Sequence, residues 1–285
     1  MEISIDPRDF ADVTSVAKQR DLIAYLRETD DLPEVIGFSD YVREILALQP
    51  GQDILDVGCG TGKAVSAFAD AVGPSGRAVG IDRADVISAV RATPAPENAE
   101  FLDADAHELP FPKESFDRYH ATRVYMHLRD PGQALAEALR VLRRGGRLVI
   151  SEPDWGGIVL DDDDRSLVRA LAAEIQDSMS EPWIGRRLPR LAREVGLVDV
   201  QHSVQFAPFP SFHVAYVFLL RDAAARLVEK GATSAADVAA LFTRLQERDR
   251  RHEFFFGAPT IVMRAYKPRR HKAVRWVSQR LRPRL

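Results

Sequence analysis

Short apolar runs alternate with amphipathic stretches through the middle of the chain. Five runs have the length of strands, and apolar residues recur in each of them: 53–57, 77–82, 99–102, 116–121 and 146–151. Between them, residues 62–71, 84–92 and 131–143 carry apolar side chains at helical spacing. Short apolar strands separated by helices are typical of a buried parallel sheet. The pattern therefore predicts an α/β fold.

The pattern changes on both sides of this region. Before it, residues 8–30 and 39–48 predict two helices, and Ser39 is placed to cap the second. After it we predict these elements: helices at 162–178 and 184–195, a strand at 197–206, helices near 211–230 and 234–250, and a last strand at 253–266. Long insertions in a compact fold usually have a function. Two helices between the last two strands are therefore interpreted as a lid over a substrate.

This pattern divides the chain into four parts: a helical cover at 1–50, a core at 51–206 and 251–267, a lid insertion at 207–250 and a basic tail at 268–285. The sequence has no apolar span of membrane length, and its first residues lack the basic and apolar regions of a signal peptide. We therefore expect a cytoplasmic protein without a membrane span.

Composition narrows the possible functions. The single cysteine, Cys59, rules out internal disulfides and cysteine-pair metal sites. The net charge of -3 argues against a dedicated nucleic-acid binder. The tail is the exception, because residues 267–285 carry many basic side chains and no acid. It is either a solvated terminus or a contact with an anionic surface or substrate.

A glycine-rich loop follows the first predicted strand, in the run Asp56-Val57-Gly58-Cys59-Gly60-Thr61-Gly62. Glycines let a backbone turn sharply and approach a ligand closely, and the next helix presents free amides. The G-x-G-x-G spacing differs from the G-x-G-x-x-G of dinucleotide enzymes and from phosphate-binding loops. It suits a ligand without a pyrophosphate.

Two further turns carry acids at the ends of strands. Asp82 ends the second strand, where a carboxylate can accept hydrogen bonds from both ribose hydroxyls. The alternative is that Asp82 caps the next helix. Asp105 and Ala106 follow the third strand, where a carboxylate and a backbone amide together can bind adenine, and Asp103 is the neighbouring alternative.

About residues 40–155 resemble the class I (Rossmann-like) S-adenosylmethionine-dependent methyltransferases, especially the quinone-biosynthesis type and small-molecule enzymes of bacterial secondary metabolism. The resemblance rests on these features: 54–62, Asp82, the Asp105-Ala106 turn, 109–111 and 140–146. It implies a seven-stranded, mostly parallel sheet in the order 3-2-1-4-5-7-6 with an antiparallel last strand. It also implies S-adenosylmethionine as cofactor, with S-adenosylhomocysteine as its product.

The resemblance also implies roles for individual residues along the cofactor. The methionine end would meet Asp56, Gly58 and Gly60, the ribose would meet Asp82, and the adenine would meet Asp105 and Ala106. Arg83 and Arg123 would lie beside the cofactor, and Tyr25 on the first predicted helix would lie across it. The family's usual proline before the fifth strand is replaced by Arg144, a position that we interpret as structural.

Methyl transfer from a sulfonium needs the nucleophile, methyl carbon and sulfur in line, and needs a base only for a protonated nucleophile. His127, after the fourth strand, is the candidate base because imidazole titrates near neutrality. Its alternative is a structural histidine at the start of a helix. Asp154 can orient a substrate or a metal, whereas the acids at 161–164 are more typical of a helix cap. We predict no metal site.

The sequence therefore predicts methyl transfer to oxygen, nitrogen or carbon of a small, apolar metabolite, in a pocket walled partly by lid aromatics. Two alternatives stay open: a macromolecular methyltransferase, and a protein that keeps the cofactor but catalyses another step such as cyclisation. The net charge and the lack of an Asn/Asp-Pro-Pro-Tyr motif after the fourth strand disfavour the first alternative. We expect no nucleic-acid partner and leave a homodimer open.

Overall fold

The computed structural model describes residues 33–269, so the predicted helix at 8–30, with Tyr25, and most of the basic tail lie outside the described residues. Helix α1 is Pro33–Leu46. Strands β1 to β5 follow the predicted pattern: Asp53–Val57, Arg77–Asp82, Ala99–Asp103, Phe116–Thr122 and Leu142–Pro153. Three helices, α2, α3 and α4, connect them: Lys63–Val72, Ala84–Val90 and Pro131–Val141.

One sheet contains all the described strands. Strands β6, β7 and β8 are Val159–Leu160, Val198–Pro208 and Phe256–Tyr266. The order is β3-β2-β1-β4-β5-β8, and both β6 and β7 pair with β8. Strands β1 to β5 pair in parallel, whereas β8 is antiparallel to β5 and β7. Without β6, this is the predicted order 3-2-1-4-5-7-6, which confirms the fold prediction.

Helix α1 starts earlier than predicted. It begins at Pro33, so the prediction that Ser39 caps this helix is wrong. Proline fits a first helical turn because its missing N–H would have no partner there. At the other end, Arg118 Nε donates to the Leu46 carbonyl at 2.8 Å and Arg147 donates to the Ile45 carbonyl at 2.6 Å. These bonds hold the carbonyl end of α1 against β4 and β5.

The remaining helices follow β6 in the order of the prediction. Helices α5 and α6 are Arg165–Asp177 and Ile184–Glu194. Helix α7 (Phe212–Ala215) continues through a π-helical segment (Tyr216–Leu220) into α8 (Arg221–Glu229), and α9 is Ala235–Arg250. Helices α7, α8 and α9 thus lie between β7 and β8 in the chain, where a lid insertion was predicted.

Helix α5 shares its apolar core with α7, α8 and α9. Two buried acids form ion pairs that link these helices. Asp162, whose side chain is 0% exposed, accepts from Arg244 at 2.7 Å. Glu174 on α5 accepts from Arg226 at 2.8 Å and from Lys230 at 2.6 Å, both at α8. The insertion therefore packs as a helical unit that includes α5.

Candidate cofactor and substrate site

A cavity of about 1040 Å³ opens at the carboxyl ends of β1, β2 and β4, where ligands bind in parallel α/β sheets. Its lining includes His127 and every predicted cofactor-site residue that the structure describes: Asp56, Gly58, Gly60, Asp82, Arg83, Asp105, Ala106 and Arg123. Tyr25 lies outside the described residues. The sequence motifs therefore converge on one place in the fold.

The loop after β1 is folded tightly against the end of β2. Gly58 and Gly60 have φ angles of 69° and 53°, in the left-handed region that glycine adopts without strain. The amides of Gly58 and Cys59 both donate to the carbonyl of Ile81, at 2.8 and 3.0 Å. A Cβ at position 58 would lie 2.3 Å from Val124 Cγ2, so only glycine fits there.

Asp82 ties this loop to the end of β2. Its Oδ2 accepts from the Gly60 amide at 2.9 Å and its Oδ1 accepts from the Arg83 amide at 2.8 Å. Burial raises the pKa of this carboxyl group. A carboxylate offers about four acceptor positions, so two remain for a ligand. The cap position of α3 is Arg83, so Asp82 is not the cap of that helix.

The turn after β3 presents Asp105 beside a histidine. Asp105 Oδ1 accepts from the His107 amide at 2.8 Å and lies 2.5 Å from His107 Nδ1. His107 Nε2 accepts from the Asp130 amide at 3.2 Å, which assigns a proton to Nδ1. Burial raises the pKa of Asp105, but the bonds from His107 outweigh it and lower the pKa. Sequence reasoning gave no role to His107, because a turn histidine carries no signal of its partner.

Asp56 is also paired with a histidine that sequence reasoning missed. His120 lies on β4, in register with Asp56 on β1. The His120 Nδ1 is 2.6 Å from Asp56 Oδ1, and its Nε2 is 2.9 Å from Thr122 Oγ1. The Phe68 ring packs edge-on against the imidazole, with ring centroids 5.2 Å apart. Asp56, His120 and Thr122 all line the cavity.

His127 lies in a short 3-10 helix, Tyr125–His127, at the cavity wall. Burial, followed by the positive charges of Arg83 and Arg123, lowers the pKa of its imidazole to about 4. The side chain is therefore neutral at pH 7 and a weak base. Its role in catalysis stays a prediction.

A buried glutamate holds the segment that carries Arg123 and His127. Glu152 Oε1 accepts from the amides of Val124 and Tyr125, each at 2.7 Å. Burial raises the pKa of Glu152 to about 7. Arg123 itself has a φ of 59°, a left-handed conformation that is uncommon outside glycine. Glu152 thus fixes a strained turn in the cavity wall.

The other acids after β5 have structural partners. Asp154 Oδ2 accepts from Arg186 at 2.5 Å, and Asp154 is not among the lining residues of the cavity. Asp164 caps α5 by accepting from the Leu167 amide at 3.0 Å, as the cap interpretation of the acidic run proposed. Within residues 33–269, no group of three or more acids, histidines or cysteines is arranged to hold a metal.

Apolar side chains also line the cavity. They come from α1, from the turn after β5, from the segment after α5 and from residues 209–218, and include Ile36, Phe38, Trp155, Met179, Phe209, Val214 and Phe218. Phe212 and Phe242 of the insertion, and Phe254 and Phe256 near the start of β8, pack in the helical core, which also includes Phe209 and Phe218 of the wall. The sequence did not indicate which of these aromatics face the cavity. Helix α1 lies within the helical cover predicted at 1–50.

Comparison with known proteins relates these features to a protein family. Residues 55–150 match the family described as "Methyltransferase domain". Residues 55–150 therefore carry a class I, S-adenosylmethionine-dependent methyltransferase domain. The match begins within β1 and ends within β5, so it contains the glycine-rich loop and the turns that carry Asp82 and Asp105.

Similar proteins cover this methyltransferase domain to different extents. The chain is 39% identical over 179 residues to an uncharacterized 37.1 kDa protein in transposon TN4556 of Streptomyces fradiae. This alignment covers 62% of this chain and 52% of that protein. It is 38% identical over 110 residues to the ubiquinone/menaquinone biosynthesis C-methyltransferase UbiE of Hahella chejuensis. That alignment covers 37% of this chain and 44% of the Hahella chejuensis protein. The chain therefore spans about half the length of the curated relatives it matches.

A solved structure shows the same fold over most of the chain. The phosphoethanolamine N-methyltransferase 2 of Haemonchus contortus, in complex with S-adenosyl-L-methionine, superposes with a TM-score of 0.57 at 16% identity, covering 93% of this chain and 60% of that one. Among the described residues, no helix is long and apolar enough to cross a membrane.

The donor and acceptor set of the cavity fits S-adenosylmethionine, the cofactor of this family. The cofactor carries an ammonium group, a sulfonium, a ribose diol and an exocyclic amine, all of which are cations or hydrogen-bond donors. Asp56, Asp82 and Asp105 line this cavity, together with Asp40 and Asp103. Asp82 retains acceptor capacity after binding Gly60 and Arg83.

Proposed function

We propose that this protein transfers a methyl group from S-adenosylmethionine to a small, apolar molecule. The observation that carries the proposal is one cavity lined by chemically different groups. Asp56, Asp82, Asp105 and the glycine-rich loop line it, and so do apolar side chains such as Ile36, Trp155 and Phe218. Small-molecule sites typically measure about 300–1,000 Å³. A volume of about 1040 Å³ therefore leaves room for an acceptor beside the cofactor.

We propose that each of the three carboxylates binds a different part of the cofactor. Asp56 would bind the ammonium of the methionine end, where Gly58 and Gly60 let the backbone approach. Asp82 would accept from the ribose hydroxyls through its remaining acceptor positions. Asp105 and the Ala106 amide would bind adenine, and Arg83 and Arg123 would flank the cofactor. The three carboxylates lie at the ends of β1, β2 and β3, and pairing of β1 with β2 and of β2 with β3 keeps them in order.

The chain's contribution to the reaction is proposed to be alignment and exclusion of water. S-adenosylmethionine, when bound, supplies the methyl group and its own leaving group. The apolar wall holds the acceptor atom in line with the reacting bond, and such alignment contributes up to roughly 7–11 kcal/mol to lowering a barrier. His127 is neutral at pH 7 and can accept a hydrogen bond or a proton from the molecule that receives the methyl group. Its low pKa makes it a weak base.

A screen with methyl-labelled S-adenosylmethionine tests the proposal. The purified chain is incubated with a panel of apolar acceptors that offer phenol, amine or activated-carbon nucleophiles, and label in the extracted products is counted. Transfer to at least one acceptor, lost in Asp82→Ala, is the expected result. Binding of S-adenosylhomocysteine by calorimetry without transfer to any acceptor would favour a cofactor-retaining protein that catalyses another step. Failure to bind S-adenosylhomocysteine would overturn the assignment of the site.

A further inference from the structure

The carboxylate of Asp56 reaches the cavity with a histidine behind it. The side chains of Asp56 and His120 are 4% and 7% exposed, so the hydrogen bond between them is shielded from water. The two residues are fixed by their strands, since β1 and β4 pair in parallel with Asp56 opposite His120. The Phe68 ring limits rotation of the imidazole from the side. The pair is therefore a rigid unit.

The hydrogen bonds define which atom donates. An ionised carboxylate has no proton to give, so His120 Nδ1–H donates to Asp56 Oδ1. The other ring nitrogen, Nε2, meets the Thr122 hydroxyl, which can donate to a neutral imidazole. His120 thus keeps the orientation of the Asp56 carboxylate.

We propose that His120 is a positioning residue that holds the Asp56 carboxylate towards the amino-acid end of the cofactor. This inference rests on the proposed function, because it takes S-adenosylmethionine as the ligand and its ammonium as the group that Asp56 binds. It adds a residue on β4 to the three turns that the motifs identify. It also explains an ionisable side chain in the middle of a buried strand, where apolar residues are usual.

Two ligands that differ in one part of the molecule test the proposal by calorimetry. S-adenosylhomocysteine carries the amino acid, and 5′-methylthioadenosine lacks it. Replacing His120 by leucine should weaken S-adenosylhomocysteine binding by about ten-fold or more, the loss expected for one charge-assisted hydrogen bond. Binding of 5′-methylthioadenosine should stay within about two-fold, because it does not reach Asp56. A merely structural role would weaken both ligands alike.

Three further variants test the position of the donor and the identity of its partner. His120→Gln moves its donor to the place of Nε2 and should repeat the loss, which keeps the test available if the leucine variant does not fold. His120→Asn keeps a donor at the place of Nδ1 and should restore most of the affinity. Asp56→Asn should reproduce the selective loss. An unchanged ratio of the two affinities in the leucine and glutamine variants overturns the proposal, whereas failure of the unaltered chain to bind either ligand overturns the proposed function instead.

Discussion

Asp82 combines two tasks at one carboxylate, because it bonds the amides of Gly60 and Arg83 and also lines the cavity. Replacing it by alanine removes two acceptor positions proposed for the ribose. We expect Asp82→Ala to weaken S-adenosylhomocysteine binding about 100-fold, as measured by calorimetry, since two hydrogen bonds to a charged group are lost.

Asp103 gives a matched control for this prediction. It lies opposite Asp82 in the β2–β3 register, lines the same cavity and is exposed. Asp103→Asn should leave the affinity within about two-fold, as for most surface substitutions. Equal affinities of the Asp82→Ala variant and the unaltered chain would remove the ribose assignment.

The pKa of Glu152 predicts a dependence of stability on pH. Its folded value of about 7 lies above the ordinary 4.5, so between these values the folded state holds a proton that the unfolded chain lacks. Stability from this group is therefore full below pH about 4.5 and is lost as the pH rises through 7. Glutamine keeps the oxygen that accepts from Val124 and Tyr125 and cannot ionise.

The comparison between Glu152→Gln and the unaltered chain isolates this contribution, because other groups titrate alike in both. From pH 5 to pH 8, the free energy of unfolding of the glutamine variant should rise relative to that of the unaltered chain by about 1–3 kcal/mol. Urea denaturation at the two pH values measures it. A difference that does not change with pH would show that Glu152 does not titrate in this range.

Residues that sit in short motifs were predictable, and residues that act through a partner were not. Asp56, Asp82 and Asp105 stand at strand ends beside glycines or turns, so their spacing predicted a shared site, and all three line the cavity. His120 stands within a predicted strand, where no local motif marks it. Its pairing with Asp56 depends on which strand lies next to β1, and this is set by topology rather than by local sequence.

At the scale of elements, we expect buried and exposed ion pairs of the helices to contribute unequally to the free energy of unfolding. Asp162 is fully buried, whereas its partner Arg244 is 41% exposed. Arg244→Met leaves a buried carboxylate without its closest partner and should lower the free energy of unfolding by about 2–4 kcal/mol. Arg250→Met removes an exposed pair with Glu247 and should change it by less than about 0.5 kcal/mol.

Chemical denaturation of both variants measures this contrast. Similar stability of the two variants would mean that Arg248, which also lies near Asp162, compensates for the loss. Loss of stability in the Arg250 variant alone would contradict the packing of the acidic run against α9.

Long, periodic elements were predicted well, and short or flanking ones were not. Strands β1 and β2 have the predicted bounds, because apolar runs between turns mark both ends. The two-residue β6 exists only because it pairs with the start of β8, so no local pattern could indicate it. The start of α1 was misplaced because Ser39 has the chemistry of a cap, yet Pro33 begins the helix six residues earlier.

At the scale of the whole molecule, ligand binding should couple to unfolding. The cavity draws its walls from the sheet, from α1 and from the lid, so it exists only when these parts are assembled. S-adenosylhomocysteine at about 100 times its Kd should raise the free energy of unfolding by about 2.7 kcal/mol. Thermal denaturation with increasing ligand checks this, and a Tm independent of ligand concentration would contradict it.

The π-helical segment between α7 and α8 has a consequence for how the pocket can diversify. Phe218 and Leu219 lie in this segment and line the cavity. A π-turn holds one residue more than an α-turn, and each α-helical residue advances about 100° around the axis. Deleting a single residue there would present a different set of side chains to the cavity while every strand end stays in place. A change of one codon in length is thus a route to a differently shaped apolar wall, with the strand ends that carry Asp56 and Asp82 unaltered.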